Sequence, residues 1–254
     1  MNEPKISCVI ATHNRDEYLK EAINSAINQI YHPLEIIISD NVPSQNTKLM
    51  VEEISQKSQV PIKYIGHKMG GKSSISMNLA IPLLQGDYIA FLNDDDTWEP
   101  EYLQKISQIV LKNGSKIIYS WFLDWHKNKK IQGKKLKADL QMKDFLLRNP
   151  GCVISNLVTE KKLFIGLGGF DEYIHPSNDK DFIIRALYFG HKYDVIRENL
   201  VNLRRHSNVR ETDITNEFLL GMKKFFKKHY FLANFTIKIK FWFKYWLLYL
   251  KSKI

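Results

Sequence analysis

Apolar and polar positions alternate between two periods along the first half of the chain. Short apolar runs at Ile6 to Ala11, Leu34 to Ser39, Ile62 to Ile65 and Tyr88 to Leu92 have the continuous hydrophobicity of strands buried on both faces. Between them, apolar residues recur at helical spacing, which predicts helices over Tyr18 to Asn28, Thr47 to Ser58, Ser74 to Leu84 and Glu101 to Lys112. In the first of these, Ala22, Ile23, Ala26 and Ile27 share the face that would pack on a sheet. Strand and helix in turn predict βα units and an α/β domain on a mostly parallel sheet.

Past Asn113-Gly114 the pattern is less regular. An apolar run spans Ile117 to Trp125, a Lys-rich stretch around Gly133 reads as a solvated hairpin or loop or as an acceptor-binding surface, and Cys152 to Thr159 reads as a strand. Gly168-Gly169 breaks the chain before a helix from about Asp179 to Phe189, which Gly190 would stop. No repeat or linker interrupts residues 1 to 220. The expected organisation is a catalytic domain over 1–210, in halves of about 1–115 and 116–210, with a helical tail over 211–254.

Charge sharpens that division. Residues 221–254 hold nine lysines, no acidic residue and 11 of the 31 aromatics. Setting those nine aside from the 37 basic residues leaves 28 against 27 acidic ones, so the body is neutral and the tail carries the net charge of +10. Cys8 and Cys152 cannot form a disulfide framework and have no partner at zinc-ligand spacing, which favours a reducing compartment. No secretory leader is expected from the N-terminal residues, and nothing reaches the ~18 uninterrupted apolar residues of a membrane span.

Ligands of an open α/β sheet bind at the carboxyl ends of its strands. Thr12-His13-Asn14-Arg15 follows the first strand, Asp40-Asn41 the second and Asn93-Asp94-Asp95-Asp96 the fourth. Asp40 or Asn14 alone could be a cap or a turn former. Three successive aspartates after YIAFL repel one another unless a cation neutralises them, whereas a helix cap needs only one. Hard divalent cations take such oxygens together with a substrate diphosphate, so the cluster suggests metal plus phosphate. No G-x-G-x-x-G follows the first strand. Gly70-Gly71-Lys72-Ser73 superficially suggests a phosphate-binding loop; P-loop chemistry is not expected from it, and Lys72 stays a candidate phosphate or nucleotide contact beside a plain helix start.

With these residues in view, roughly residues 5–210 resemble a family 2 glycosyltransferase of the GT-A fold, a Rossmann-like, mostly parallel sheet that handles nucleotide-diphosphate sugars. The resemblance rests on Thr12-His13-Asn14-Arg15, on Ile36 to Asp40, on QGDYIAFLNDDDTWEP, on Asn78, and on GGFDEYIHPSNDKDFIIRALYFG followed by LRRHSNVRET. It implies Asp179 as catalytic base, with Asn178 where Glu is usual. It implies Asp95 as ligand of Mg2+ or Mn2+ with His206 completing that site, and Asp94 as a ribose contact. Ala11, Thr12, His13, Arg15, Asp40, Lys72 and Asn93 would contact the nucleotide sugar, Asn93 standing where an aspartate is common. A UDP-sugar donor, inversion, and a hydroxyl of a glycan or lipid-linked acceptor follow from the same resemblance. A metal-dependent nucleotidyltransferase is the alternative enzyme.

The tail has its own expected role. On a helix, Lys240, Lys244 and Lys251 fall in one sector, and burying such lysines at the bilayer centre costs about 2.5–3.5 kcal/mol each. Lying flat, they meet anionic headgroups while Trp242, Phe243 and Trp246 enter the interface. Peripheral attachment is therefore expected; together with the resemblance it implies the inner face of the cytoplasmic membrane and a part in bacterial cell-surface polysaccharide synthesis. The alternatives are a helix packed on the domain or on a second subunit, an edge strand at IKIKF, and a single-stranded nucleic-acid binder. The last leaves the carboxylates unexplained, so no nucleic-acid partner is expected. Oligomeric state is not readable.

Overall fold

The computed structural model describes residues 3–70, 72–127, 129–205 and 215–252. Four βα steps come first: β1 (Ile6–Thr12), α1 (Asp16–Ile27), β2 (Glu35–Asp40), α2 (Gln45–Lys57), β3 (Ile62–Gly66), α3 (Ser73–Ala80), β4 (Tyr88–Asn93), a short β5 (Thr97–Trp98) and α4 (Tyr102–Asn113). Then follow β6 (Ile117–His126), β7 (Lys129–Gln132), β8 (Leu157–Glu160), α5 (Lys161–Gly166), α6 (Asn178–Tyr188), β9 (Asp194–Arg205), α7 (Asn216–Lys228) and α8 (Phe235–Lys251). Among the described residues the sheet runs β3-β2-β1-β4-β8-β6-β9-β5, with β7 paired to β6. The β1–β4 half is parallel, and β8 joins β4 and β6 antiparallel to both.

Every residue of β1 and β2 is buried because helices cover both faces of the sheet. One face carries α1, α2 and α4, which deliver Leu19, Ile23, Val51, Leu103 and Ile106 to a core with Ile10, Ile38 and Leu92. On the other face Met77, Phe164, Phe182, Phe225 and Phe241, from α3, α5, α6, α7 and α8, pack on Val9, Phe91 and Tyr119. Pro82 ends α3 earlier than periodicity suggests, since it lacks an N–H; residues 81–83 continue as a 3-10 turn. The Lys-rich stretch is a hairpin, β7 on β6. Cys152 to Asn156 is not strand: residues 154–156 form a 3-10 turn whose Asn156 amide donates to the carbonyls of Ser120 and Gly151, and only Leu157 onward joins the sheet.

The tail is helical, which removes the edge-strand alternative. Thr215 and Asn234 cap α7 and α8 through bonds from Phe218 N (3.1 Å) and Ile237 N (2.9 Å). The two helices clasp through Phe226 and Phe241, stacked at 3.6 Å between ring centres. Helix α7 docks on α6 through the buried Asp181, which accepts bonds from His229 Nε2 (2.8 Å) and Lys228 Nζ (2.8 Å) beside Arg185 Nε (2.7 Å). A Cβ on Gly221 would stand 1.5 Å from the His175 carbonyl oxygen, so only glycine lets α7 cross there. Helix α8 meets the domain through Phe241, with Ile237, Tyr245 and Leu248 partly covered. Its other side presents Phe235, Ile239, Trp242, Phe243, Trp246 and Leu250 to solvent. No helix of the described residues is long and apolar enough to cross a membrane.

Candidate active site

The carboxyl ends of β1 and β4 adjoin, with Ala11 paired to Asn93 in parallel register, so the turns that follow face one another. Asn14 adopts a left-handed conformation (φ 52°), which turns the chain sharply from β1 into α1 and brings Arg15 over the aspartates. Arg15 NH1 reaches both Asp94 Oδ1 (3.0 Å) and Asp95 Oδ2 (3.2 Å). Part of the neutralising charge that three aspartates demand is therefore supplied by the protein itself. Asp94 is buried and also accepts bonds from Thr12 Oγ1 (2.8 Å) and His13 N (3.0 Å). Burial, and next the charge of Asp95, push its carboxyl above the usual range, against the pull of Arg15. Asp96 serves the framework, accepting from Ser155 Oγ (2.5 Å) and Arg204 N (3.1 Å) and so tying the β4 end to the 154–156 turn and to β9.

These residues line a cleft of about 640 Å³ that the start of α6 also lines. Ala11, Thr12, His13, Arg15, Asn93, Asp94 and Asp95, Lys72 just before α3, and Asp179 all border it. Asp40 is not among the lining residues. Its carboxylate is buried, accepting from Val42 N (2.9 Å) and Tyr64 OH (2.7 Å), and its neighbour Asn41 faces the cleft, Oδ1 2.5 Å from His13 Nδ1. His206 lies outside the described residues. Residues 66–73 do meet the G-x-x-x-x-G-K-[ST] spacing on a strand-to-helix connection. Lys72 lines this cleft, and its Nζ donates to the Glu172 carbonyl (3.4 Å).

Asp179 is held at the start of α6. Its Oδ1 accepts from Lys180 N (2.7 Å) and its Oδ2 from Asn149 Nδ2 (2.8 Å). Burial raises its carboxyl to about 6, while the Lys180 ammonium and these hydrogen bonds restrain the rise. At neutral pH the group is ionised yet basic enough to take a proton, as a general base requires. Asn149 escaped the sequence reading. Its signal was the Asn149-Pro150-Gly151 turn, where Gly151 takes φ +125° and Asn149 Oδ1 accepts from Gly151 N (2.8 Å). Asn78 clamps the other approach to α6. It donates to Phe170 O (2.8 Å) and Glu172 Oε1 (2.9 Å) and accepts from Phe170 N (3.0 Å), and a Cβ on Gly169 would come within 2.8 Å of its oxygen. The start of α7 also closes the cleft, through Thr215, Glu217 and Phe218.

Among the described residues that line the cleft, Asn93 Oδ1, next to the aspartates in the chain, and Asn178 Nδ2, next to Asp179, are buried without a hydrogen-bond partner. No group of three or more His, Cys, Asp or Glu that could hold a metal ion occurs among the described residues. The carboxylate oxygens of Asp95 and Asp94 do fit a hard divalent cation whose remaining ligands come from a diphosphate and water.

The family described as Glycosyl transferase family 2 matches residues 7–164. An uncharacterized glycosyltransferase of Methanocaldococcus jannaschii is 31% identical over 211 residues, covering 80% of this chain and 72% of the relative. The UDP-Glc:alpha-D-GlcNAc-diphosphoundecaprenol beta-1,3-glucosyltransferase WfgD of Escherichia coli is 24% identical over 245 residues, 93% and 94% of the two chains. Among solved structures, the mannosyltransferase PcManGT of Pyrobaculum calidifontis, in complex with GDP-Man and Mn2+, superposes with a TM-score of 0.65 at 13% identity, covering 92% of this chain and 66% of that one. The chain belongs to glycosyl transferase family 2 and is a glycosyltransferase of the GT-A fold.

Proposed function

We propose that the protein transfers a sugar, with inversion, from a nucleotide-diphosphate donor to a hydroxyl of a lipid-linked glycan. The observation that carries this reading is that Asp94, Asp95 and Asp179 line one cleft. The donor lies across the strand ends, its nucleoside near His13 and Asn41 and its diphosphate toward Arg15, Lys72 and Asp95. Asp95, with Asp94 beside it, would hold a Mg2+ or Mn2+. Bound there, the ion offsets charge developing on the departing diphosphate. Asp179 takes the proton of the acceptor hydroxyl as that oxygen bonds to the anomeric carbon; the carbon–oxygen bond to the diphosphate breaks, and the nucleoside diphosphate leaves. Attack from the face opposite the leaving group inverts the configuration. UDP is the favoured nucleotide and a lipid-linked glycan the favoured acceptor, supported by the substrates in the name of the Escherichia coli relative. Asp179→Asn should keep donor affinity and lose ~10²- to 10⁴-fold in turnover. Transfer at the wild-type rate in that variant would refute the assignment.

The exposed side of α8 supports attachment to an anionic membrane surface. Its apolar stripe, from Phe235 to Leu250, is flanked by Lys240 and Lys251 on one side and Lys238 on the other, and residues 221–252 contain no acid. A lipid surface therefore fits better than a second copy, which would bring two lysine-rich faces together. Phosphatidylglycerol vesicles should sediment the protein and release Trp242→Ser/Trp246→Ser; equal binding by both forms would contradict this.

A further inference from the structure

Several lysines of the domain find a carboxylate: Lys105 meets Glu198, Lys116 meets Glu160, and Lys130 meets Glu99. Around the loop 146–153 the pattern changes. Lys134, on the return from the hairpin, donates to the Asn149 carbonyl (2.9 Å), and Lys244, on α8, donates to the Leu147 carbonyl (2.7 Å). Lys180, next to the base, lies with Nζ 4.2 Å from the Phe225 ring centre. Two ammonium groups from separate elements thus meet on one short loop, the same loop whose Asn149 holds Asp179, and Lys180 follows Asp179 in the chain. Lys134 and Lys244 bond carbonyl oxygens there, which offer no countercharge.

The three feel one another. Burial lowers Lys180 to about 8, Asp179 opposes the drop, and Lys244 and Lys134 add to it; Lys244 is lowered by burial and then by Lys134. Like charges gathered in a partly dry place destabilise the chain unless an anion joins them. Asp179 offsets one charge of the three.

We infer that Lys134, Lys180 and Lys244 form an anion subsite, beside the base, for the phosphate or diphosphate group of a lipid-linked acceptor. This rests on the transferase reading above and assigns residues to its acceptor side. Point-charge lysines approaching from several directions suit phosphate oxygens more than the planar fork of a carboxylate. Lys244 belongs to α8 and faces the domain, on the side of that helix away from its apolar stripe. On the transferase reading the anion is an ester carrying a hydrocarbon chain, its headgroup at the lysines and its sugar reaching Asp179.

The test titrates the full chain, by calorimetry, with geranyl diphosphate, inorganic pyrophosphate and geraniol. The proteins are the wild type, Lys134→Gln, Lys244→Gln, the double variant and Asp95→Ala; Lys180 is left in place because it adjoins the base. Geranyl diphosphate should bind more tightly than pyrophosphate, and geraniol should not bind. Affinity should fall about tenfold in each single variant and further in the double one, with Asp95→Ala unaffected. Wild-type affinity in the double variant overturns the inference, as does loss confined to Asp95→Ala, which would place the ligand on the donor side. Equal affinity for pyrophosphate and geranyl diphosphate overturns the lipid assignment. Nucleoside-diphosphate binding, measured on the same proteins, separates the two readings. If nucleotide binds and the lysines make no difference, this inference alone fails; if no nucleotide binds, the transferase reading fails with it.

Discussion

Asn149→Ala isolates one contact of Asp179, the proposed base. In the wild type its amide donates to Asp179 Oδ2 at 2.8 Å, a bond that favours the ionised carboxylate. A hydrogen bond to a charged group is worth about 1.5–3 kcal/mol, and about 1.36 kcal/mol moves a pKa by one unit. Water will replace part of the bond, so the lower end applies and the carboxyl should rise by about one unit from its value of about 6. The acid limb of kcat/KM therefore moves toward higher pH. At pH 6 the ionised fraction falls from half to roughly a tenth, about a fivefold loss beyond any change in maximal rate, and above pH 8 the curves rejoin apart from that change. Asn149 also accepts from Gly151 N and donates to the Cys152 carbonyl, so the loop itself will loosen. The assay is accordingly the full pH profile of sugar transfer rather than a rate at one pH. A uniform loss at every pH, with the acid limb unmoved, would refute the claim that Asn149 tunes the base and leave it a loop anchor.

Other consequences concern stability and the donor side. Phe241→Ala removes the partner stacked on Phe226 in a fully packed spot and should cost about 3–5 kcal/mol, read as a fall in Tm; a change under about 1 kcal/mol would mean α8 is not held by this clasp. Burial acts to raise the Asp181 carboxyl, but His229, Arg185 and Lys228 outweigh it and carry it from its ordinary 3.8 to about 2. A depressed acid contributes stability above its unfolded value and loses it as pH falls through its folded one. Denaturant midpoints should therefore drop between about pH 4 and pH 2 in the wild type, and Asp181→Ala should already be destabilised by about 3 kcal/mol at pH 7 because the part-buried Arg185 loses its carboxylate and the buried His229 its hydrogen-bond partner, while Lys228 keeps Asp171. A flat wild-type profile would contradict the network. Gly221→Ala should destabilise the fold and weaken acceptor use more than donor binding, since α7 would have to lift from the cleft at His175; unchanged kinetics would show that α7 does not shape that wall.

Much of the first half could be read from the sequence because its signals are local. Strand runs such as YIAFL and helix faces such as that of α1 depend on spacing within one element, and the βα order then places Asp94, Asp95 and the turn after β1 at the same strand ends. Local signals fail where a contact spans the chain. Asn149 meets Asp179 across 30 positions and Asp181 meets His229 across 48, and no periodicity announces either pair. Asp40 shows the opposite hazard: it ends its strand as read, but Tyr64 from the neighbouring strand takes up its carboxylate and turns Asn41 toward the ligand side. The tail was read as an amphipathic helix with lysines on its polar face. The fold uses a third face, around Phe241, for the core, which leaves Lys244 at the domain boundary and the aromatics outward.

Donor binding at the aspartate cleft is the central claim, and calorimetric titration of UDP, GDP, CDP and dTDP, each with and without Mn2+, tests it most directly. The account predicts metal-dependent binding of one nucleoside diphosphate, lost in Asp95→Ala and retained in Asp179→Asn. Binding of none of the four in either condition, or binding indifferent to Asp95, would contradict it.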